Sequence, residues 1–132
     1  MNTREIKFRA WDKINKKMGD PFDIQDVANA FDCGYYAGYG MDSIDPTDDN
    51  AVIMQFTGLL DKNGKEIYSS DYLKCDDDKI RKVVWYDLGA GWRVGTDDKD
   101  AYFNGLGVYA DKLEVVGNEY EGLQNGSEGD II

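Results

Sequence analysis

The sequence predicts a mainly β protein with one short helix. Three observations carry that expectation. Strand-length apolar runs recur along the chain, polar turns of hairpin character separate them, and glycine outnumbers proline fifteen to two. Aromatic residues, 13% of the total, point the same way, because wide rings suit the pleated surface of a sheet. At 132 residues the chain suits one domain, and its 42% hydrophobic content is enough for a core.

The elements follow in order. Ile6, Phe8 and Ala10 alternate with Lys7, Arg9 and Trp11, the period of a half-buried strand. The charged stretch from Asp12 to Gly19 then reads as a turn. Pro21 and Asp23 introduce the one helix, with Asp23 placed to cap it and Ile24, Val27, Ala28 and Phe31 at helical spacing. Residues 34–40 form a glycine-rich loop carrying Tyr35, Tyr36 and Tyr39. Ala51–Phe56 is a buried strand with a bulge expected at Gly58, and Lys65–Tyr68 answers it across the turn from Asp61 to Gly64. Asn63-Gly64 supplies the positive φ angles of a tight hairpin. Tyr72–Cys75 and Ile80–Tyr86 make a second hairpin around Asp76, Asp77 and Asp78. Short strands at Trp92–Val94 and Leu113–Val116 complete the pattern. The polar, glycine-rich stretch 122–132 reads as a flexible tail.

Charge is strongly uneven. The chain carries −11 in all, with +4 in residues 1–18, −9 in 19–61, +1 in 62–95 and −7 in 96–132. Such a field repels phosphates and favours basic surfaces. The acids serve either solubility or a negative face for a basic partner. The first segment has no apolar stretch of the kind an export signal needs, and no run approaches the ~20 apolar residues of a membrane span. A cytoplasmic setting with Cys33 and Cys75 as reduced thiols is expected.

Four blocks of sequence stand out: Arg4–Asp12, the segment Gln55-Phe56-Thr57-Gly58-Leu59-Leu60-Asp61-Lys62-Asn63-Gly64-Lys65-Glu66-Ile67-Tyr68, Val83–Asp87 and Leu113–Glu121. Together they resemble the YopX-like family of bacteriophage and prophage proteins. The resemblance implies a single domain over 1–132. A strand, a helix and a variable acidic, tyrosine-rich loop occupy 1–50. A portion similar to a small SH3-like barrel occupies 51–121, and the tail follows at 122–132. The hairpin pattern between Phe56 and Val116 agrees with it independently. The family usually has an acidic residue and glycine before the aspartate that follows its central block, where this chain has Ser69-Ser70 before Asp71. Residues 19–50 match no block. The family carries no agreed activity, so no catalytic residue transfers.

Chemistry finds little to work with. Histidine is absent, which removes Ser-His and Cys-His pairs and the commonest zinc ligand. Two distant cysteines cannot build a zinc site, and the acids around Pro46 lack the register of a calcium loop. No catalytic residue, metal or cofactor is expected. The expected role is that of a non-enzymatic accessory phage protein acting on a protein partner; a stronger version is an acidic mimic of nucleic acid that occupies a basic nucleic-acid-binding protein. Candidate contact residues are Tyr35, Tyr36, Tyr39, Asp42, Asp45, Asp48, Asp49, Asp76, Asp77, Asp78, Asp97 and Asp98. Alternatives are a small-ligand-binding oligomer and nucleic acid binding through the basic N-terminal strand. Direct nucleic acid or membrane binding is disfavoured, and self-association through exposed tyrosines and sheet edges is compatible.

Overall fold

A computed structural model describes residues 5–23, 49–87, 90–95, 105–124 and 126–132. The chain divides into two units, Met1–Phe56 and Thr57–Ile132. Among the described residues strands dominate both, and the expected helix over Ile24, Val27, Ala28 and Phe31 lies outside them.

In the first unit, β1 (Phe8–Asp12) runs antiparallel to β2 (Lys17–Met18) on one side and to the first half of β3 (Ala51–Leu60) on the other. Trp11 faces Met18 across one pairing and Val52 across the other. The alternation read from Ile6 does not hold along this strand. Ile6 is exposed and precedes it, while the neighbours Ala10 and Trp11 are both buried. Successive side chains leave a strand on opposite faces, so both faces are covered at that point. Phe22 closes a small cluster with Ala10 by exchanging two backbone hydrogen bonds of 2.8 Å with Phe8.

The second unit opens with the remainder of β3, which continues through Gly58 to Leu60 beside β4 (Glu66–Tyr68). Thr57 is buried there and its hydroxyl donates to the Ile67 carbonyl at 2.8 Å. A five-stranded sheet follows, built from β5 (Asp71–Lys74), β6 (Ile80–Tyr86), β7 (Gly91–Val94), β8 (Glu114–Asn118) and β9 (Gly122–Leu123). Its order is β7-β6-β5-β8-β9, and each named pair is antiparallel. Two short 3-10 turns, Leu106–Val108 and Ala110–Lys112, lead into β8 and were not foreseen.

The core of this unit gathers Ile67, Leu73, Cys75, Val83, Val94, Leu106, Ala110 and Leu113. Alternation in β5 puts Asp71 and Leu73 inward with Tyr72 and Lys74 half-buried, as a period of two requires. Each large aliphatic side chain removed from water here contributes roughly 1.5–3 kcal/mol.

Polar residues in and just after the four sequence blocks hold the turns. Asp71 is buried and its carboxylate accepts from the Tyr68 amide at 2.7 Å. Ser70 sits at φ 68°, a left-handed angle that glycine adopts without cost. The pattern of the resembling family has glycine at this position, where this chain has Ser70. Gly117, at φ 151°, has no room for a side chain, since a Cβ would stand 2.1 Å from the Gly122 carbonyl oxygen. Asn118, also buried, accepts from the amides of Tyr120 and Glu121 at 3.0 and 2.9 Å.

Residues 122–132, read as a flexible tail, include β9 and further backbone bonds. Gln124 donates to Val116 at 2.8 Å, and Ile131 forms a parallel bridge to Ile80. Glycine content hid these contacts, because backbone pairing to a distant strand leaves no local signal.

Candidate functional site

The acidic turn between β5 and β6 is the expected contact region that the structure describes most fully. The Cys75 amide donates to the Lys79 carbonyl at 2.9 Å and the Asp78 amide to the Cys75 carbonyl at 3.0 Å. Asp78 takes a left-handed angle, φ 64°, which aspartate tolerates better than most residues. Asp76, Asp77 and Asp78 are all exposed.

The three are not equivalent. Asp77 accepts two charge-assisted bonds from Arg81, at 3.0 and 2.9 Å, in a bidentate pairing. Those bonds, with help from the Lys79 amide, hold the Asp77 carboxyl below the ordinary aspartate value. The Arg81 side chain is only 5% exposed. Asp77 therefore serves the turn and a buried guanidinium. Asp76 and Asp78 are left facing outward.

Asp76 and Asp78 line a groove of about 300 Å³ together with Lys62, Lys74, Cys75, Lys112 and Glu114. Three lysines meet here from three different places: the β3–β4 turn, the end of β5 and the second 3-10 turn. Lys62 reaches Glu114 at 3.9 Å, a weak surface pair. The groove thus balances three ammonium groups against three carboxylates, and its charge is patterned rather than uniformly negative. Sequence reading missed the lysines. They are spread over fifty residues, and nothing local marks them as neighbours.

Cys75 is buried at this groove. Cys33 lies outside the described residues, as do Tyr35, Tyr36, Tyr39, Asp42, Asp45, Asp48, Asp97 and Asp98. Asp49 is described and exposed, in the turn that enters β3. Among the described residues no group of three or more Cys, Asp or Glu is placed to hold a metal ion. No described helix is long and apolar enough to cross a membrane.

The basic strand of the first unit is largely engaged. Lys7 is 17% exposed, pairs with Glu5 at 3.2 Å and lies 4.9 Å from the centre of the Phe56 ring. Exposed bases remain at the hairpin tip, at Lys13, Lys16 and Lys17. That tip is organised by Asp12, whose carboxylate accepts from the Asn15 and Ile14 amides and from the Asn15 side chain. The Asn15 bonds in particular keep the Asp12 carboxyl below its usual range.

The model of the family described as YopX protein matches residues 7–123. Among solved structures, protein EF1440 from Enterococcus faecalis is similar, with a TM-score of 0.53 and 24% identity. That alignment covers 90% of this chain and 96% of the other. At that identity the likeness concerns the fold. No curated protein matches the chain.

Proposed function

The chain belongs to the YopX protein family, and from that premise we propose that it acts by binding a protein partner, without chemistry of its own. The partner offers a basic, charge-patterned surface to the acidic turn at Asp76 and Asp78. The observation that carries this reading is the division of labour among the acids. Asp61, Asp71 and Asp77 are committed to turns and to Arg81. Asp76 and Asp78 are exposed beside three lysines and have no such duty.

In this reading the protein is a phage or prophage accessory factor working in the host cytoplasm. Its overall charge of −11 speeds encounter with a basic partner and repels nucleic acid. The lysines of the groove set register, because a uniformly cationic surface would meet them unfavourably. Mimicry of nucleic acid is the stronger version, with aspartates standing in for phosphates.

The test is affinity capture from a bacterial lysate, using the full chain beside an Asp76→Lys, Asp78→Lys variant. Basic proteins retained at low salt, released at high salt and absent with the variant are expected. Recovery of the same partners by both baits would overturn the reading. The groove also supports a second reading, a small charged ligand, since its volume lies at the low end for such sites. A thermal-shift panel of nucleotides and amino acids separates the two readings.

A further inference from the structure

Ile80, the first residue of β6, is fully buried, yet β7 pairs with β6 only over Val83–Tyr86. The backbone of Ile80 that faces away from β5 is satisfied by residues 130–132 instead. Its amide donates to the Asp130 carbonyl at 2.8 Å, and the Ile132 amide donates to the Ile80 carbonyl at 2.9 Å. Ile131 sits opposite as a parallel bridge. A short extended segment has been added to an edge that β7 leaves open.

Two features make this occupant a poor fit. Ile131 and Ile132 remain 50% and 56% exposed, so about half of their surface gains nothing from docking. Glu128 and Asp130 flank Gly129, and among the described residues neither has an ion-pair partner. Gly129 itself lies close over the acidic turn. A Cβ there would stand 3.1 Å from the Asp78 carbonyl oxygen and 3.0 Å from Ile80 Cδ1. The segment therefore carries two acids to a turn that already holds three. Two hydrogen bonds, which together make the bridge, hold it to β6, a small return for ordering its backbone, and such segments open readily.

We propose that the edge of β6 at Ile80 is a strand-addition site for an extended partner segment in which an aliphatic residue is flanked by lysine or arginine. Residues 130–132 fill this site in cis until displaced. Main-chain bonds to Ile80 supply the docking geometry. The flanking cations meet the exposed carboxylates of Asp76 and Asp78. This rests on the reading of the acidic turn as a contact for a basic protein, and it names the form that contact takes.

The probe is a synthetic heptapeptide copying residues 126–132 with lysine at both acidic positions, and the unaltered copy is the control. Binding to the full chain is followed by fluorescence anisotropy, and protection of the Ile80 amide by hydrogen exchange. The lysine peptide is expected to bind, to weaken at high salt and to keep the Ile80 amide protected. It should bind the Gly129→Val variant, whose cis segment is strained by a side chain at φ 153° and crowded against Asp78 and Ile80, about tenfold more tightly. The Ile131→Gly variant loosens the same segment by another route and should shift in the same direction. Equal binding to parent and both variants would overturn the strand-addition site. Binding that is salt-sensitive and lost in the Asp76→Lys, Asp78→Lys variant, with Ile80 no better protected in Gly129→Val, would sink this site and leave the acidic turn as a contact. Protection of Ile80 indifferent to salt and to that charge reversal would keep the edge and remove the electrostatic reading.

Discussion

Two hairpin turns in the second unit share one backbone and use their acids in opposite ways. In the β3–β4 turn the Asp61 amide donates to the Lys65 carbonyl and the Gly64 amide to the Asp61 carbonyl, at 2.8 and 3.0 Å. In the β5–β6 turn Cys75, Asp78 and Lys79 repeat that pattern at 2.9 and 3.0 Å. The left-handed position is Gly64 in the first, at φ 79°, and Asp78 in the second. Asp61 leads the first turn and is buried. Its carboxylate accepts from the amides of Asn63 and Lys65 at 2.8 Å and, across fifty-four residues of chain, from Val115 at 2.9 Å. The second turn opens on Cys75, keeps only Asp77 for its own joint with Arg81, and turns Asp76 and Asp78 outward. One turn is a structural joint, and the other presents charge. Where the leading carboxylate points decides which.

The comparison breaks most severely at Asp61. Asp61→Ala leaves three amides without their acceptor and is expected to cost about 3 kcal/mol. Urea unfolding would read this directly, and a loss under about 1 kcal/mol would mean the carboxylate is not the joint. Asp77 comes next. Asp77→Asn is expected to cost about 1 kcal/mol at neutral pH, a modest figure because the carboxylate is partly solvated even though Arg81 is buried. The folded pKa of Asp77 is depressed below 3.8, so its contribution is present above that value and fades as pH falls through the folded one. The gap between parent and variant should therefore stay constant above about pH 5 and close in more acidic solution.

Asp78→Gly sharpens the likeness by giving the second turn the glycine of the first. Relief of the left-handed angle is expected to stabilise by about 0.5–1 kcal/mol. Ser70→Gly, in the link that leads into β5, should gain a similar amount, seen as a raised unfolding midpoint. The smallest effect belongs to Asp76. Asp76→Ala should shift stability by less than about 0.5 kcal/mol, because the residue is exposed and holds no turn. A larger change would give the presenting turn a structural role after all.

Much of this fold was legible because strands and turns write themselves locally. The apolar run marked β3, and Asn63-Gly64 marked the first hairpin. Its detail differed, since only Gly64 takes a positive φ while Asp61 does the work assigned to the pair. The second hairpin was found from Asp76, Asp77 and Asp78 alone. Its bidentate Arg81 was not, nor was the groove that joins Lys62, Lys74 and Lys112 to those acids. Ion pairs and groove walls depend on which strands become neighbours, and no residue type announces that.

By itself the sequence determined a mainly β chain, its hairpin sites, its acidity and its family. The tertiary structure decided which acids are joints and which are surface, and it placed residues 130–132 on the open edge of β6. Periodicity and turn chemistry act over a few residues, so they survive in the linear code. Burial of a carboxylate and the filling of a sheet edge depend on segments distant in the chain. They take shape only when β8 or the stretch after β9 comes to lie beside them.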